Sequence, residues 1–391
     1  MKVLFITSFL PNKNATQAGV NFTYNIIEIL NKKLGFSVDL LCTINEEEKS
    51  SSQEDIKKLT NKRIFHYVNK KNKIKNIIKS PFKPFITSVR YDCRIIKELK
   101  RLSKENVKYD YIVLDYTQNI SYIDIIKKLF TDARTILLEQ DVSFLGIKRK
   151  VENTHGLSRL FNSLEYRRLK KYELSKIDLF DKVYTVNQKD ALLLGERDNV
   201  GVLYPFINEW KVVAKKHETF NIMFWGAMNR IENEDAVLFF IDNIWPNINK
   251  ENVKFYIIGS KPSKKILELA NDNIIVTGFV DDPSEYFSIM DISVVPLRLG
   301  AGIKIKVLES MANGIPTITT TVGAEGIEVV DEEEIFITDD WNEFAIKINK
   351  LKEDKGLREK LSNNAYKKIK EKYSFESNKN ILSEFVKIKG E

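Results

Sequence analysis

Arg298, Lys304 and Glu309 bracket two glycines, Gly300 and Gly302, within the segment 298–316. A glycine loop that joins a strand end to a helix start presents free backbone N–H groups and the positive end of a helix to an anion. Gly300 and Gly302 permit the tight path, and Lys304 adds a cation in the expected first helical turn. Glu309, further along, is a carboxylate with several acceptor sites for neighbouring hydroxyl donors. The chemistry these residues could do together is to hold a phosphate beside a polyhydroxylated group. An alternative for Glu309 is an ordinary surface pair with Lys306, three residues away.

The flanking elements fix this geometry. The apolar run Ile292–Leu297 reads as a buried strand. The spacing predicts a helix from about Ile303 to Asn313, stopped by Gly314 with Pro316 just beyond, then a strand over Ile315–Thr319. Upstream, Phe220–Trp225, Val253–Ile258 and Asn273–Thr277 read as further strands. Helices are expected between them over Asn233–Asn249, Pro262–Ala270 and Pro283–Met290.

The first half repeats the scheme. Val3–Thr7 is an apolar strand, Asn21–Leu34 a helix and Phe36–Cys42 the next strand, a βαβ opening. It contradicts a secretion signal, since the apolar start stops at Pro11 with no small-residue cleavage site after it. Gly19 then lies near the carboxyl edge of a parallel sheet, where such sheets bind ligands. Tyr109–Asp115, Arg134–Glu139, Lys182–Val186 and Val200–Pro205 read as more strands, and Leu157–Ile177 as a long helix. Gln140 and Asp141 follow a strand end, which makes Asp141 a candidate site residue, with a helix cap as the alternative. The polar stretch Asn208–Thr219 is the expected linker. The domains are therefore 1–208 and 209–375, followed by a terminal helix at 376–391 that is expected to pack back on the first domain. The charged tail Lys355–Lys389 reads as helical.

Composition narrows the function classes. With 391 residues, 43% hydrophobic and 30% charged, the chain has enough length for two full cores and is not disordered. No apolar run approaches a membrane span. The two cysteines form no framework, the three histidines have no metal-ligand spacing, and no Asp-x-Asp pair occurs, so no metal is expected. Net charge is +8, yet residues 57–108 alone hold seventeen Lys and Arg against three acids, which leaves the remainder net acidic. With its interleaved aromatics, this basic segment reads as a solvated face or as a contact for an anionic membrane surface. No nucleic-acid-binding module accompanies it.

Several short motifs together resemble a known family. Phe224-Trp225-Gly226-Ala227-Met228 with Asn233, Gly278-Phe279-Val280, Val295-Pro296-Leu297-Arg298 and Gly300-Ala301-Gly302-Ile303-Lys304 occur in order. They are followed by Leu308-Glu309-Ser310-Met311-Ala312-Asn313-Gly314-Ile315-Pro316 and Thr321-Val322-Gly323-Ala324-Glu325-Gly326. This series resembles the donor half of family-4 retaining glycosyltransferases (glycosyl transferases group 1). The resemblance implies an α/β chain of the GT-B fold, two Rossmann-like doubly wound domains facing across a cleft. It implies that Glu309 accepts the ribose hydroxyls of a nucleotide-diphosphate sugar, that the base rests near Phe279 and Val280, and that Gly300, Ala301, Gly302 and Ile303 line the sugar and diphosphate. Arg298 and Lys304 would neutralise the leaving diphosphate, and Gly19 would let the first loop approach it.

The chain departs from the family at particular places. Relatives commonly carry an acid where Ala301 stands, an Arg and a Lys where Ala227 and Glu232 stand, and a His where Gln140 stands. A neutral amide is no base, so Gln140 is left with hydrogen bonding to the sugar. The implied activity is metal-independent, retaining transfer from a UDP- or GDP-sugar to a surface polysaccharide or lipid-linked oligosaccharide. It would take place in the cytoplasm, peripherally at the inner membrane face, with no cofactor. The competing functions are a non-hydrolysing nucleotide-sugar epimerase and an inactive nucleotide-sugar- or membrane-binding relative.

Overall fold

In the computed structural model, residues 1–13, 15, 17–50, 53–69, 74, 76–78, 83–152, 154–207, 217–300 and 302–387 are described. The chain divides into two compact units, Met1–Leu203 and Tyr204–Glu391. Most of the expected linker, 208–216, lies outside the described residues, as do parts of the basic segment and the last four residues of the terminal helix.

The first unit is built on a seven-stranded parallel sheet. Its strands are β1 (Lys2–Thr7), β2 (Ser37–Ile44), β3 (Lys62–Tyr67), β4 (Tyr111–Asp115), β5 (Arg134–Glu139), β6 (Lys182–Thr185) and β7 (Val200–Val202), in the spatial order 3-2-1-4-5-6-7. Strand β1 is central, with β2 on one side in register Lys2↔Ser37 and β4 on the other in register Val3↔Tyr111. The chain therefore reverses its direction of winding at β1, and the carboxyl ends of β1 and β4 open the crevice where such sheets take ligands. Strand β3 is absent from the sequence reading. It is an edge strand and half-exposed along most of its length, so it lacks the apolar run that marks the inner strands.

The principal helices of this unit are α1 (Ala18–Glu28), α2 (Phe85–Arg90), α3 (Cys93–Lys104), α4 (Ser143–Glu152) and α5 (Gly156–Ile177). Helix α1 begins three residues earlier than expected and ends in a widened turn, Ile29–Lys33. Leu4, Ile6, Ile112, Leu114, Leu137 and Leu169 belong to its core.

The second unit holds a six-stranded parallel sheet: β8 (Phe220–Trp225), β9 (Val253–Ile258), β10 (Ile274–Gly278), β11 (Ile292–Val295), β12 (Thr317–Thr319) and β13 (Phe336–Ile337), in the order 10-9-8-11-12-13. Its switch point lies between β8 and β11. Helices α6 (Ile231–Phe239), α7 (Ile305–Ala312), α8 (Trp341–Glu353), α9 (Lys355–Lys368) and α10 (Phe375–Lys387) complete it, with shorter helical turns between. The single helix expected over Asn233–Asn249 ends at Phe239 and continues as a wide turn to Ile244 and a tight one over Trp245–Asn247. Pro246, without an N–H, cannot continue the α-helical ladder. The expected continuous tail helix is likewise broken. Ser374 is extended and its Oγ accepts from Ser377 N at 3.0 Å, an N-cap that starts α10 afresh. Phe375 at the start of α10 packs on Phe206, with ring centroids 6.4 Å apart.

Candidate functional site

The glycine loop of the second unit runs from the end of β11 to the start of α7. Gly300 has φ 123° and Gly302 φ 70°, conformations that side chains rarely adopt, so both glycines are required by the path. Helix α7 begins at Ile305, two residues later than expected, and Lys304 is extended at its cap rather than inside the first turn. From there Lys304 Nζ folds back onto Gly302 O at 2.6 Å, which draws a largely buried ammonium against the loop. Ile303 packs on the core below. Ala301 lies outside the described residues.

Glu309 sits one turn into α7, half-buried, and its Oε2 accepts from Trp225 Nε1 at 2.8 Å. Trp225 ends β8 and packs edge-on to Phe287, so the indole is a fixed donor. Burial pushes the Glu309 carboxyl up to about 7, against the opposing pull of the Trp225 bond and of Lys306. Lys306 does not pair with Glu309. Its Nζ donates to Asn233 Oδ1 on α6 and lies 4.6 Å from the centre of the Phe224 ring. Asn233 is itself fixed through Nδ2 to Ala227 O at 2.8 Å. Burial lowers the Lys306 ammonium to about 7, with Glu232 pulling it back up. The ends of β8 and β9 meet at two glycines so closely that a Cβ on Gly259 would lie 1.8 Å from Gly226 O.

Arg298 is placed differently from the loop that follows it. Its Nη2 and Nε reach Asp235 Oδ1 and Oδ2 at 2.5 and 3.1 Å, and its guanidinium stacks 4.0 Å from the Phe239 ring centre. The fork is thus occupied by a carboxylate on α6. Arg230 is paired with Glu232 at 2.5 Å. Phe279 is 72% exposed just beyond β10, whereas Val280 packs into the small cluster that also receives Trp225. Val280 and the anchor of Glu309 therefore share one apolar support.

In the first unit, Gly19 stands in the first turn of α1 against Tyr116 and Gln140. A Cβ there would lie 2.6 Å from Tyr116 Oη and 3.3 Å from Gln140 Oε1. Tyr116 holds a positive φ of 66° just past β4. Gln140 is buried and its amide is oriented from behind: Nε2 donates to Asp115 Oδ1 at 2.9 Å and to Thr23 Oγ1 at 3.3 Å. Asp115 Oδ2 accepts from Thr7 Oγ1 and Thr23 Oγ1 at 2.9 and 2.7 Å. Complete burial raises the Asp115 carboxyl to about 6, and these hydrogen bonds restrain the rise. Asp115 is the residue the sequence reading missed. The available signal is an acid ending an apolar strand at the sheet's carboxyl edge. Asp141 is exposed, and its carbonyl accepts from Thr117 Oγ1 at 3.4 Å. Beneath it, Glu139 and Glu173 are fully buried, and burial raises both carboxyls above the usual range, with Glu173 adding to the rise at Glu139. Among the described residues no cluster of three or more His, Cys, Asp or Glu could hold a metal ion.

Residues 219–354 match the family model of glycosyl transferases group 1. The match supports a glycosyltransferase. Over 369 residues the chain is 25% identical to an uncharacterized 44.6 kDa protein in the cps region of Klebsiella pneumoniae, covering 87% of this chain and 88% of that one. It is 29% identical over 175 residues to the capsular polysaccharide biosynthesis glycosyltransferase CapM of Staphylococcus aureus, covering 42% of this chain and 46% of the relative. Among solved structures, sucrose-phosphate synthase from Thermosynechococcus elongatus superposes with a TM-score of 0.68 at 14% identity, over 99% of this chain and 98% of that one. Anabaena HepE in complex with UDP superposes with a TM-score of 0.67 at 12% identity, over 99% of both chains. The fold is GT-B, with its two Rossmann-like α/β units.

Proposed function

We propose that the chain is a retaining, metal-independent glycosyltransferase. It moves a sugar from a UDP- or GDP-sugar to a growing capsular or other surface polysaccharide, or to its lipid-linked precursor. The observation that carries this reading is the Glu309 carboxylate, clamped by Trp225 one helical turn beyond the glycine loop. A fixed carboxylate accepts both ribose hydroxyls of a nucleotide, while loop N–H groups and the α7 start face the diphosphate. The names of the relatives from Klebsiella and Staphylococcus support a capsule acceptor, and the UDP bound by HepE supports a nucleotide-sugar donor.

In this mechanism the bond from the anomeric carbon to the diphosphate oxygen breaks as the acceptor oxygen attacks from the same face. The acceptor proton passes to the departing phosphate oxygen. The chain contributes positioning and charge. Lys304 turns from Gly302 O to the phosphate, and Lys306 adds a second cation from α7. Val280 and the exposed Phe279 ring offer a surface for the base. Gln140, with its N–H group held by Asp115, presents Oε1 to a sugar hydroxyl, and Asp141 lies next to it. In this proposal the transfer takes place on the cytoplasmic side, peripherally at the membrane.

A calorimetric and thermal-shift screen against nucleotide sugars tests the donor site, since a selective ligand stabilises by mass action. Glu309→Ala and Lys304→Ala are each expected to lower donor affinity or turnover by about tenfold or more, the loss of one charged hydrogen bond. Near-normal activity in both would overturn the site.

A further inference from the structure

Helix α5 changes character along its length. From Leu169 onward it is anchored by buried Leu169, Glu173 and Ile177. In its first turns residues 156–161 are all exposed. Four large apolar side chains lie there, Leu157 at 85% exposure, Leu160 at 59%, Phe161 at 60% and Leu164 at 53%. With about 100° between successive helical residues, positions 157, 160, 161 and 164 form one stripe, on the side away from Leu169 and Glu173.

The charge around the stripe is of one sign. Residues 148–171 contain eight Lys and Arg against Glu152 and Glu165, a net +6, and Glu165 is buried. Residues 153–164 contain no acid. The stripe continues into Arg167, Arg168 and Lys171. An exposed apolar ridge with a basic collar matches a surface whose outer layer is anionic and whose interior is apolar. A second copy of this chain fits poorly, since pairing two such faces opposes like charges. Nucleic acid would use the cations and leave four apolar side chains in water. No described helix is long and apolar enough to cross a membrane, so the contact is interfacial.

We infer that the exposed start of α5 is a membrane-docking element that inserts Leu157, Leu160, Phe161 and Leu164 among the headgroups of an anionic bilayer. The basic residues 148–150 and 167–171 bind the lipid phosphates. This assignment goes beyond the donor chemistry and is independent of it. It also moves the main membrane contact away from the basic segment 57–108.

Vesicle flotation of the full chain tests it, with phosphatidylcholine alone against phosphatidylcholine mixed with phosphatidylglycerol. The chain is expected to float with the anionic vesicles at about 0.1 M salt. Binding is expected to fall at about 1 M salt, where the screening length shrinks from ~10 to ~3 Å. Changing the four stripe residues to glutamine should reduce binding about tenfold or more while leaving the melting temperature unchanged, because all four are exposed. Lys97→Gln, Lys100→Gln and Lys104→Gln on α3, within the basic segment, should reduce it far less. Undiminished binding of the stripe variant, equal binding to neutral vesicles, or loss only in the α3 variant would overturn the inference. So would vesicle-free self-association that the stripe variant abolishes. None of these outcomes depends on whether the chain binds a nucleotide sugar.

Discussion

Replacing Trp225 with phenylalanine removes one hydrogen-bond donor and keeps an aromatic ring beside Phe287. Glu309 then loses its 2.8 Å partner inside a half-buried site. Its carboxyl is already pushed up to about 7 from 4.5 because burial disfavours the charge, and the Trp225 bond does most to oppose the rise. A hydrogen bond to a charged group contributes about 1.5–3 kcal/mol, which corresponds to about one to two further pH units at 1.36 kcal/mol each. If nucleotide binding needs the ionised form, the Glu309 contribution grows as pH rises through 7, against the loss of charge on Lys306 over the same range. Trp225→Phe moves the Glu309 rise to about 8–9 while leaving Lys306 in place, so the ratio of variant to native affinity isolates Glu309. At about pH 7.5 the ionised fraction then falls about 4- to 40-fold, and affinity with it, while by about pH 9 the deficit shrinks to less than about threefold. Calorimetric titration of the nucleotide between about pH 6 and 9 reads this directly. Glu309→Gln serves as the control, since it keeps the shape and removes the part of the pH dependence that Glu309 contributes, leaving that of Lys306. A deficit of Trp225→Phe that is the same at every pH would refute the reasoning, because it would mean that the indole acts through packing alone.

Two more outcomes follow from the first unit. A Cβ on Gly19 would fall 2.6 Å from Tyr116 Oη, so Gly19→Ala must displace a ring that packs 4.8 Å from Phe9. Turnover is expected to drop about tenfold or more while nucleotide binding to the second unit is retained, since a misplacement of about 1 Å can cost that much; normal turnover would remove Gly19 from the site. Asp115 titrates at about 6 instead of 3.8, so the folded chain holds its proton longer than the unfolded one. Stability is present below the unfolded value and declines as pH rises from about 4 to about 6, by about 3 kcal/mol from this group. Asp115→Asn should flatten that part of the urea midpoint–pH curve, and an unchanged slope would contradict it.

Strands in the second unit were legible where they are predominantly apolar, with single interruptions at Asn221, Lys254 and Ser293. Phe220–Trp225 and Val253–Ile258 agree to the residue because a parallel strand covered on both faces is mostly apolar, and Ile292–Val295 stops two residues short of the apolar run to Leu297. Lys62–Tyr67 was not legible, because an edge strand carries no such requirement. The glycine loop and Glu309 could be read because they are local. Their partners could not: Trp225 lies 84 positions from Glu309, Asn233 lies 73 from Lys306 and Asp235 lies 63 from Arg298. Spacing along a chain says nothing about which residues two strand ends and two helices bring together. The Arg298–Asp235 pair shows the consequence, since a cation beside a phosphate-type loop looks available until its counter-ion is located.

Buried acids were hidden for a related reason. Glu165 and Glu173 look like members of a solvated face on a charged helix, yet they are 5% and 0% exposed. The same logic reinterprets the missing cations. The family resemblance places an Arg and a Lys just after β8, where this chain has Ala227 and Glu232. Lys306 reaches that strand end from α7 instead, with Nζ 2.8 Å from where a Cβ of Gly226 would stand and bonded to Asn233. Any side chain at 226 would displace it, so Gly226 and Lys306 act as one device. Because Lys306 titrates at about 7, it is only partly charged at rest. On the proposed donor reading, an incoming diphosphate would stabilise the ammonium and raise that value, so binding would take up a proton and the cation would strengthen as its anion arrives. A permanently charged arginine would not respond in this way. On that reading, the substitution at the start of α6 relocates charge within the proposed site, from a loop that follows β8 to a helix that faces it.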